Sequence, residues 1–195
     1  MAAVDNEALA QAVTTMLVAL GEDPTREGLA ETPSRVAELL GELYAGVGVD
    51  PRSVLEQARI VASGEDERGD LVALRDIAFH SLCEHHLLPF DGLASVVYAP
   101  GERIVGLGTL STLVDTVARR PQLQERVGEM VVGALVDSGV ATGALVKISA
   151  THGCVRYRGP QQNLTTVTVA ARGTLATGPA RHEALMMVGH DESSW

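Results

Sequence analysis

The segment SLCEHHLLPF carries the densest group of chemically active side chains in the 195-residue chain. It places Cys83, His85 and His86 almost side by side, ahead of an apolar run. The second of only two cysteines, Cys154, lies far along the chain in ATHGCVRYR. Thiolate sulfur and imidazole nitrogen are ligands that Zn²⁺ prefers. Cys83, His86 and Cys154 are therefore a candidate ligand set that leaves a fourth tetrahedral position for water, as in catalytic zinc sites.

Spacing alone leaves a plainer alternative open. Buried cysteines in a small protein are commonly apolar filler, and adjacent histidines are often surface residues. The segment ATHGCVRYR predicts a strand, in which alternate side chains share one face. That face would carry His152, Cys154, Arg156 and Arg158, so a histidine, a thiol and two guanidinium groups would lie together.

Two amphipathic helices are predicted at the N-terminus. Asp5 can cap the first helix, and Gly21 ends it. Thr32 is expected at the N-cap of the second helix, with Pro33 at the first helical position. The polar stretch 51–70 is typical of a mobile connection. The predicted division is residues 1–70 for the N-terminal helical region and linker, and residues 71–195 for the catalytic domain.

The remaining chain predicts strands, then paired helices, then strands. LVALRDIAFHSL, GLASVVYAP and ERIVGLG are short extended runs. Two helical stretches follow, divided by Pro121 at an expected first helical position. GALVKISATHGCVRYRG and LTTVTVAARGTLA are rich in β-branched residues, with a turn at Gly159 and Pro160, and PARHEALMMVG is weakly helical. This order predicts an α+β fold, an antiparallel β-sheet with helices packed on one face.

Composition excludes several classes of function. The chain is 46% apolar but has no apolar run near the roughly 20 residues that a membrane span needs. Its formal net charge of −10 argues against general binding of nucleic acid or anionic membranes, which needs a dense cationic surface. The acidic N-terminus lacks the features of a secretory signal, so we expect a cytoplasmic protein without a structural disulfide.

Four motifs together carry a resemblance to a known family. CEHHLLPFDG, RRPQLQERV, ATHGCVRYRG and QNLTTVT resemble, in order and at matching distances, the active-site segments of GTP cyclohydrolase I. EGLAETPSRVAELL resembles the N-terminal helix of that family, and the similarity covers roughly residues 22–185. The resemblance implies a tunnelling fold, a ring-shaped homo-oligomer that is usually a decamer, and active sites at subunit junctions. It also implies one zinc ion per subunit, held by Cys83, His86 and Cys154.

The resemblance further implies a reaction on a purine substrate. In the family, zinc-activated water attacks C8 of guanine, the imidazole ring opens, formate leaves, and the ribose rearranges to close a dihydropterin ring. A histidine that titrates near neutral pH suits proton transfer to N7. By correspondence His152 takes that role, with His85 as its partner in later proton transfers. The alternative for His85 is a packed side chain that orients its neighbour.

The substrate-binding residues follow from the same correspondence. Gln124 and Glu125 match the residues that recognise guanine, since a carboxylate can accept from N1–H and the 2-amino group together. Arg35 and Arg158 match two of the phosphate-binding cations. Without the resemblance, Gln124 and Glu125 would be the solvated start of a helix.

Other phosphate-binding cations of the family are replaced. Where the family usually has Ser-Lys and, three residues after the lysine, Arg, this chain has Gly108, Thr109 and Thr112. A lysine often found three residues after Arg35 is replaced by Glu38. A hydrogen bond to a charged group is worth about 1.5–3 kcal/mol, so two or three losses weaken triphosphate binding by on the order of 10³-fold.

Three functions follow from these observations. The first is a zinc-dependent purine ring-opening hydrolase, acting on GTP or on a purine without the triphosphate, such as a monophosphate, nucleoside or base. Arg156 and Lys147 are unproven substitutes for the missing phosphate-binding cations. The second is a non-catalytic regulatory subunit, which the intact histidines and ligands disfavour. The third is nitrile reduction by a nucleophilic cysteine, which the Cys-x-x-His spacing disfavours.

Overall fold

A computed structural model describes residues 4–56, 70–101 and 103–189 of the chain. It contains a five-stranded sheet in the order β3-β1-β2-β4-β5. The strands are β1 Val72–Cys83, β2 Pro89–Pro100, β3 Pro121–Gln122, β4 Ala141–His152 and β5 Thr165–Gly173. The helices of the described ranges are α1 Asn6–Ala19, α2 Thr32–Leu43, α3 Arg52–Leu55, α4 Leu107–Ala118, α5 Gln124–Asp137, α6 Gly153–Arg156 and α7 Gly178–Met187.

The first two helices form where the sequence places them. The Asp5 carboxylate accepts from the backbone N–H of Ala8 and caps α1, and Gly21 follows with a left-handed φ of 86°. In α2 the N-cap is Glu31, one residue before the predicted Thr32, and Pro33 lies in the first turn. The predicted connection 51–70 contains the short α3, and its residues 57–69 lie outside the described ranges.

The order of the strands determines where the functional segments meet. β1 and β4 each pair antiparallel with β2, so they run in the same direction on either side of it. Neighbouring strands lie about 4.8 Å apart, so the C-terminal ends of β1 and β4 lie at the same end of the sheet, about 10 Å from each other. Cys83 ends β1 and His152 ends β4. Residues just beyond these ends can therefore meet over the start of β2.

Helices cover both faces of the sheet to different extents. α4 and α5 lie on one face and bury the main core. Its larger members include Phe79, Tyr98, Leu110, Leu113, Leu135 and Ile148. The shorter α7 packs on the opposite face, where Ala184 and Val188 contact Val97 and Leu145. The predicted α+β architecture is confirmed, and it agrees with the tunnelling fold that the resemblance implies. No helix of the described ranges is long and apolar enough to cross a bilayer.

Two predicted elements are wrong. ERIVGLG is not a strand in the part of it that the structure describes, because residues 103–106 are irregular and α4 already begins at Leu107. The backbone N–H of Val105 donates to the Tyr98 hydroxyl at 3.2 Å instead of to a neighbouring strand. Pro121 does not begin a helix, because it pairs with Leu82 in the parallel β1–β3 ladder before α5 begins at Gln124.

The strand predicted for ATHGCVRYR ends early, at His152. The chain turns at Gly153, where a Cβ atom would lie 2.8 Å from the Pro89 carbonyl oxygen, and α6 follows. The Tyr157 N–H donates to the Gly153 carbonyl at 2.9 Å and closes this single helical turn. The expectation that His152, Cys154, Arg156 and Arg158 share one strand face is therefore wrong. A glycine without a Cβ permits the close approach that redirects the chain.

Candidate active site

A tight turn after β1 brings the first two candidate ligands together. The Leu87 N–H donates to the Cys83 carbonyl at 2.8 Å, and the His86 N–H contacts the same oxygen at 3.3 Å. The Cys83 N–H donates to the Leu88 carbonyl at 2.9 Å, which closes the turn. Leu87 adopts a left-handed φ of 54° within it. The chain thus folds back on Cys83 and holds His86 beside it.

The third candidate ligand, Cys154, comes from α6, at the same end of the sheet. The ligand atoms of Cys83, His86 and Cys154 all lie within 4.8 Å of one another. Two sulfurs and one imidazole nitrogen make a donor set that Zn²⁺ prefers, so the residues present fit the metal that the resemblance implies. Cys83 is buried, Cys154 is half-buried and His86 is exposed. The cluster therefore has one open side that faces solvent.

The surroundings of the Cys154 thiol shift its pKa in opposite directions. Burial raises the pKa of the Cys154 thiol, and the neighbouring Cys83 raises it further, whereas the Arg158 guanidinium lowers it. Arg158 Nη1 lies 2.8 Å from His86 Nε2. Because an arginine can only donate, His86 Nε2 accepts this bond with its lone pair. A neutral imidazole has one such lone pair, so this hydrogen bond and metal binding by His86 exclude each other.

His152 is held between an aromatic ring and an amide. Its ring stacks on Phe90, with centroids 4.7 Å apart and an interplanar angle of 5°. Its Nε2 lies 2.8 Å from Oε1 of Gln124. Burial lowers the pKa of His152, and the charges of Glu125 and Asp91 oppose this shift. The fold therefore favours the neutral imidazole.

The other predicted site residues lie at different distances from solvent. His85 is exposed, and its ring meets the His86 ring edge to face, with centroids 6.3 Å apart. Glu125 is exposed in the first turn of α5, whereas the adjacent Gln124 is buried. Arg35 is exposed on α2 and forms an ion pair with Glu31.

The structure does not bring every predicted residue to the cluster. No hydrogen bond or ion pair found among residues 4–56, 70–101 and 103–189 joins Arg35 to the cysteines and histidines. Of the two proposed substitute cations, Arg156 lies over the Tyr157 ring at 5.6 Å, and Lys147 donates to the Gly189 carbonyl at 2.8 Å.

The segment that lacks the expected cations lines a groove of about 500 Å³. The lining residues that the structure describes are uncharged and belong to the start of α4 and to α3: Gly108, Thr109, Thr112, Ser53 and Val54.

Sequence reasoning missed three supporting contacts. Phe90 is fully buried and pairs with His152 across β2 and β4, so it fixes the plane of the imidazole ring. Arg126 donates to Glu84 at 2.6 Å and ties the turn to α5. The apolar Phe90 directly after CEHHLLP was the available signal for the first contact, because the residue opposite a strand-end histidine is a natural packing partner. Nothing in the sequence indicated the ion pair.

The third missed contact anchors the end of β1. The Ser81 hydroxyl donates to the Ala118 carbonyl at 2.7 Å, at the C-terminal end of α4. Ser81 is 2% exposed, so the bond is shielded from water. It holds the strand end that carries Cys83 against the helix layer.

Comparisons with known proteins show which family the chain resembles. The family model described as GTP cyclohydrolase I matches residues 9–189. The chain is 46% identical over 190 residues to GTP cyclohydrolase 1 of Leifsonia xyli subsp. xyli, covering 97% of this chain and 98% of that protein. It is 45% identical to the protein of the same name from Halalkalibacterium halodurans, covering 96% and 99%. For the Bacillus pumilus protein, also named GTP cyclohydrolase 1, the identity is 41%, covering 98% and 100%.

Proposed function

The chain belongs to the GTP cyclohydrolase I family, and on that premise we propose that it is a zinc-dependent hydrolase that opens the imidazole ring of a guanine nucleotide at C8. GTP is the default substrate of this proposal, with formate and 7,8-dihydroneopterin triphosphate as products. The observation that carries it is the convergence of Cys83, His86 and Cys154 within 4.8 Å. When bound there, zinc supplies Lewis-acid activation of water at neutral pH.

The protein side chains supply binding and proton transfer. Water adds at C8, the C8–N9 bond breaks, and a second hydrolysis releases C8 as formate. His152 takes the proton that the attacking water loses and passes it to N7. Its half-buried, neutral ring supports this role, because a neutral imidazole has a lone pair that can accept that proton. His85 assists later proton transfers, and its exposed ring beside His86 supports that role. Glu125, exposed at the start of α5, accepts from guanine N1–H and the 2-amino group.

Phosphate binding falls to Arg158 and Arg35 in this proposal. Arg158 is the better supported of the two, because it lies at the edge of the cluster and its guanidinium would be released for a phosphate when His86 binds the metal. Arg35 is paired with Glu31 and must exchange that carboxylate for a phosphate. An exposed ion pair of this kind is worth about 0–1 kcal/mol, so the exchange costs little.

We further propose that the chain works as a ring-shaped homo-oligomer, as the resemblance implies. β5 is an edge strand whose outward face exposes Val167 and Val169, which supports pairing with another copy. Light scattering on the purified chain measures the subunit number, and a monomer would contradict the proposal. Because both thiols must stay reduced to bind a metal, we propose the cytoplasm as the location.

Release of formate tests the enzymatic proposal. Zinc-loaded protein should release one formate per GTP, and His152→Ala should lower the rate by about 10²–10⁴-fold, the range of general acid–base catalysis. His182→Ala, at an exposed position of α7, is the matched control and should retain the rate. If neither GTP, GMP nor guanosine yields formate, the proposed function is wrong.

A second candidate substrate is a guanine compound without the triphosphate, the alternative that the sequence suggests. The uncharged groove at Gly108, Thr109 and Thr112 favours it, because no described lining residue carries a positive charge for a phosphate. Comparing kcat/KM for GTP, GMP and guanosine separates the two candidates. A micromolar KM for GTP, with guanosine far weaker, rejects the second candidate.

A further inference from the structure

Gln124 is a buried amide whose hydrogens are already used inside the protein. Its side chain is only 2% exposed. Its Nε2 donates to the Thr166 carbonyl at 2.9 Å, and contacts the Ile148 carbonyl and the Thr168 hydroxyl, each at 3.2 Å. Three acceptors from β4 and β5 therefore share the two amide hydrogens. No amide hydrogen remains for a ligand.

These acceptors determine which way the amide points. A flipped amide would place Oε1 against the two carbonyl oxygens of Ile148 and Thr166. Two hydrogen-bond acceptors cannot form a hydrogen bond with each other. Oε1 must therefore face Nε2 of His152, at 2.8 Å. Since Oε1 can only accept, the proton of the bond belongs to His152 Nε2. Nδ1 is then the nitrogen of the neutral ring that carries the free lone pair.

The ring has little freedom to leave this arrangement. Phe90, which is fully buried, stacks against it at 4.7 Å and fixes its plane. The Gln124 bond fixes rotation within that plane. The orientation of His152 is thus set by one amide and one aromatic ring, both held by the sheet.

We propose that Gln124 is a positioning residue for His152 and does not contact the guanine. It holds Nε2–H so that Nδ1 is the nitrogen presented to the substrate for proton transfer. Guanine recognition is then left to the exposed Glu125. This inference rests on the proposed role of His152, and it changes the role that the family resemblance implies for Gln124.

Substitution of Gln124 distinguishes a residue that positions His152 from one that contacts guanine. Gln124→Met keeps the length and removes the acceptor, so kcat should fall about 10- to 100-fold, the cost of a misplaced catalytic group, while KM stays within about twofold. Gln122→Met is the matched control, because Gln122 is 1% exposed and its amide contacts, within the described ranges, only Val117 and Met130. It should leave kcat and KM unchanged.

A double-mutant cycle tests whether Gln124 acts through His152. In a His152→Ala background, Gln124→Met should change kcat/KM by less than about twofold, because the group it positions is gone. A contact with guanine would instead persist in that background. A KM for GTP and guanosine that rises tenfold or more in Gln124→Met, with kcat retained, overturns the inference.

One further measurement does not depend on turnover. In ¹⁵N-histidine NMR spectra, assigned with His152→Asn, the His152 proton should be on Nε2 and exchange slowly in the wild type, and exchange fast in Gln124→Met. A proton on Nδ1 overturns the inference even if the protein proves inactive. If Gln124→Met does not fold, the wild-type spectrum still tests the inference, because it needs no variant of Gln124. Absence of formate from the wild type would refute the proposed function alone.

Discussion

Adding two cations to the groove at the start of α4 tests what that groove binds. The change is Thr109→Lys together with Thr112→Arg, at the positions where the family usually has a lysine and an arginine. Thr112 is exposed and Thr109 is half-buried, and both line the groove of about 500 Å³. Longer side chains therefore have space, and the only side-chain hydrogen bond lost among the residues that the structure describes is from the Thr112 hydroxyl to the Gly108 carbonyl.

The expected gain in affinity for a triphosphate follows from the two added charges and their exposure to solvent. Each hydrogen bond between a cation and a phosphate contributes about 1.5–3 kcal/mol, so two contribute about 3–6 kcal/mol when shielded from water. Solvent screening at this exposed groove reduces the sum by roughly half. The remaining 1.5–3 kcal/mol corresponds to roughly 10- to 150-fold tighter binding of a triphosphate. A nucleoside without phosphate should gain nothing.

Calorimetric titration of GTP and guanosine measures this selectivity directly. The ratio of their dissociation constants should shift toward GTP by the stated factor in the double variant. A control variant, Ala12→Lys with Thr15→Arg, places the same two charges three residues apart on the exposed surface of α1. If the control shifts the ratio as much, or the groove variant shifts it by less than threefold, the groove does not face the phosphates.

Three other substitutions test the site and the fold. Cys154→Ala should weaken zinc affinity by more than about 100-fold, beyond the loss typical of a group that only supports a ligand, and a chelator competition assay that finds wild-type affinity would contradict the ligand set. Arg158→Leu should strengthen zinc binding several-fold, because it removes the competitor for His86 Nε2, and Arg156→Leu is the matched arginine control whose equal effect would refute this reason. Gly92→Ala should lower the free energy of unfolding by about 3 kcal/mol or more, because its Cβ would lie 2.0 Å from the Ser149 carbonyl oxygen. Gly108→Ala, whose Cβ would have no atom within 4 Å, is the control and should be neutral or stabilising by up to about 1 kcal/mol. Urea denaturation measures both variants, and equal values would contradict the packing argument.

Local patterns predicted much of the fold because their causes are local. The cap at Asp5 and the left-handed Gly21 depend on a few neighbouring residues, and both ends of α1 lie where the sequence indicates. The grouping of Cys83, His86 and Cys154 was also predicted, because these residue types suit one metal ion. That zinc binds them stays a prediction.

The errors come from contacts between distant segments. The strand predicted through Cys154 ends at His152 because Gly153 packs against the Pro89 carbonyl, and no local pattern in ATHGCVRYR shows that approach. The orientation of Gln124 depends on Ile148, Thr166 and Thr168, which lie 24 to 44 residues away. A sequence pattern does not specify such a hydrogen-bond network.

X-ray absorption at the zinc edge, together with metal analysis, tests whether Cys83, His86 and Cys154 hold zinc. We expect one zinc ion per chain, with two sulfur ligands at about 2.3 Å and one imidazole nitrogen at about 2.0–2.1 Å. The sulfur signal should fall by half in Cys154→Ala. A protein that binds no stoichiometric metal, or that binds zinc through oxygen and nitrogen alone, would refute this ligand set.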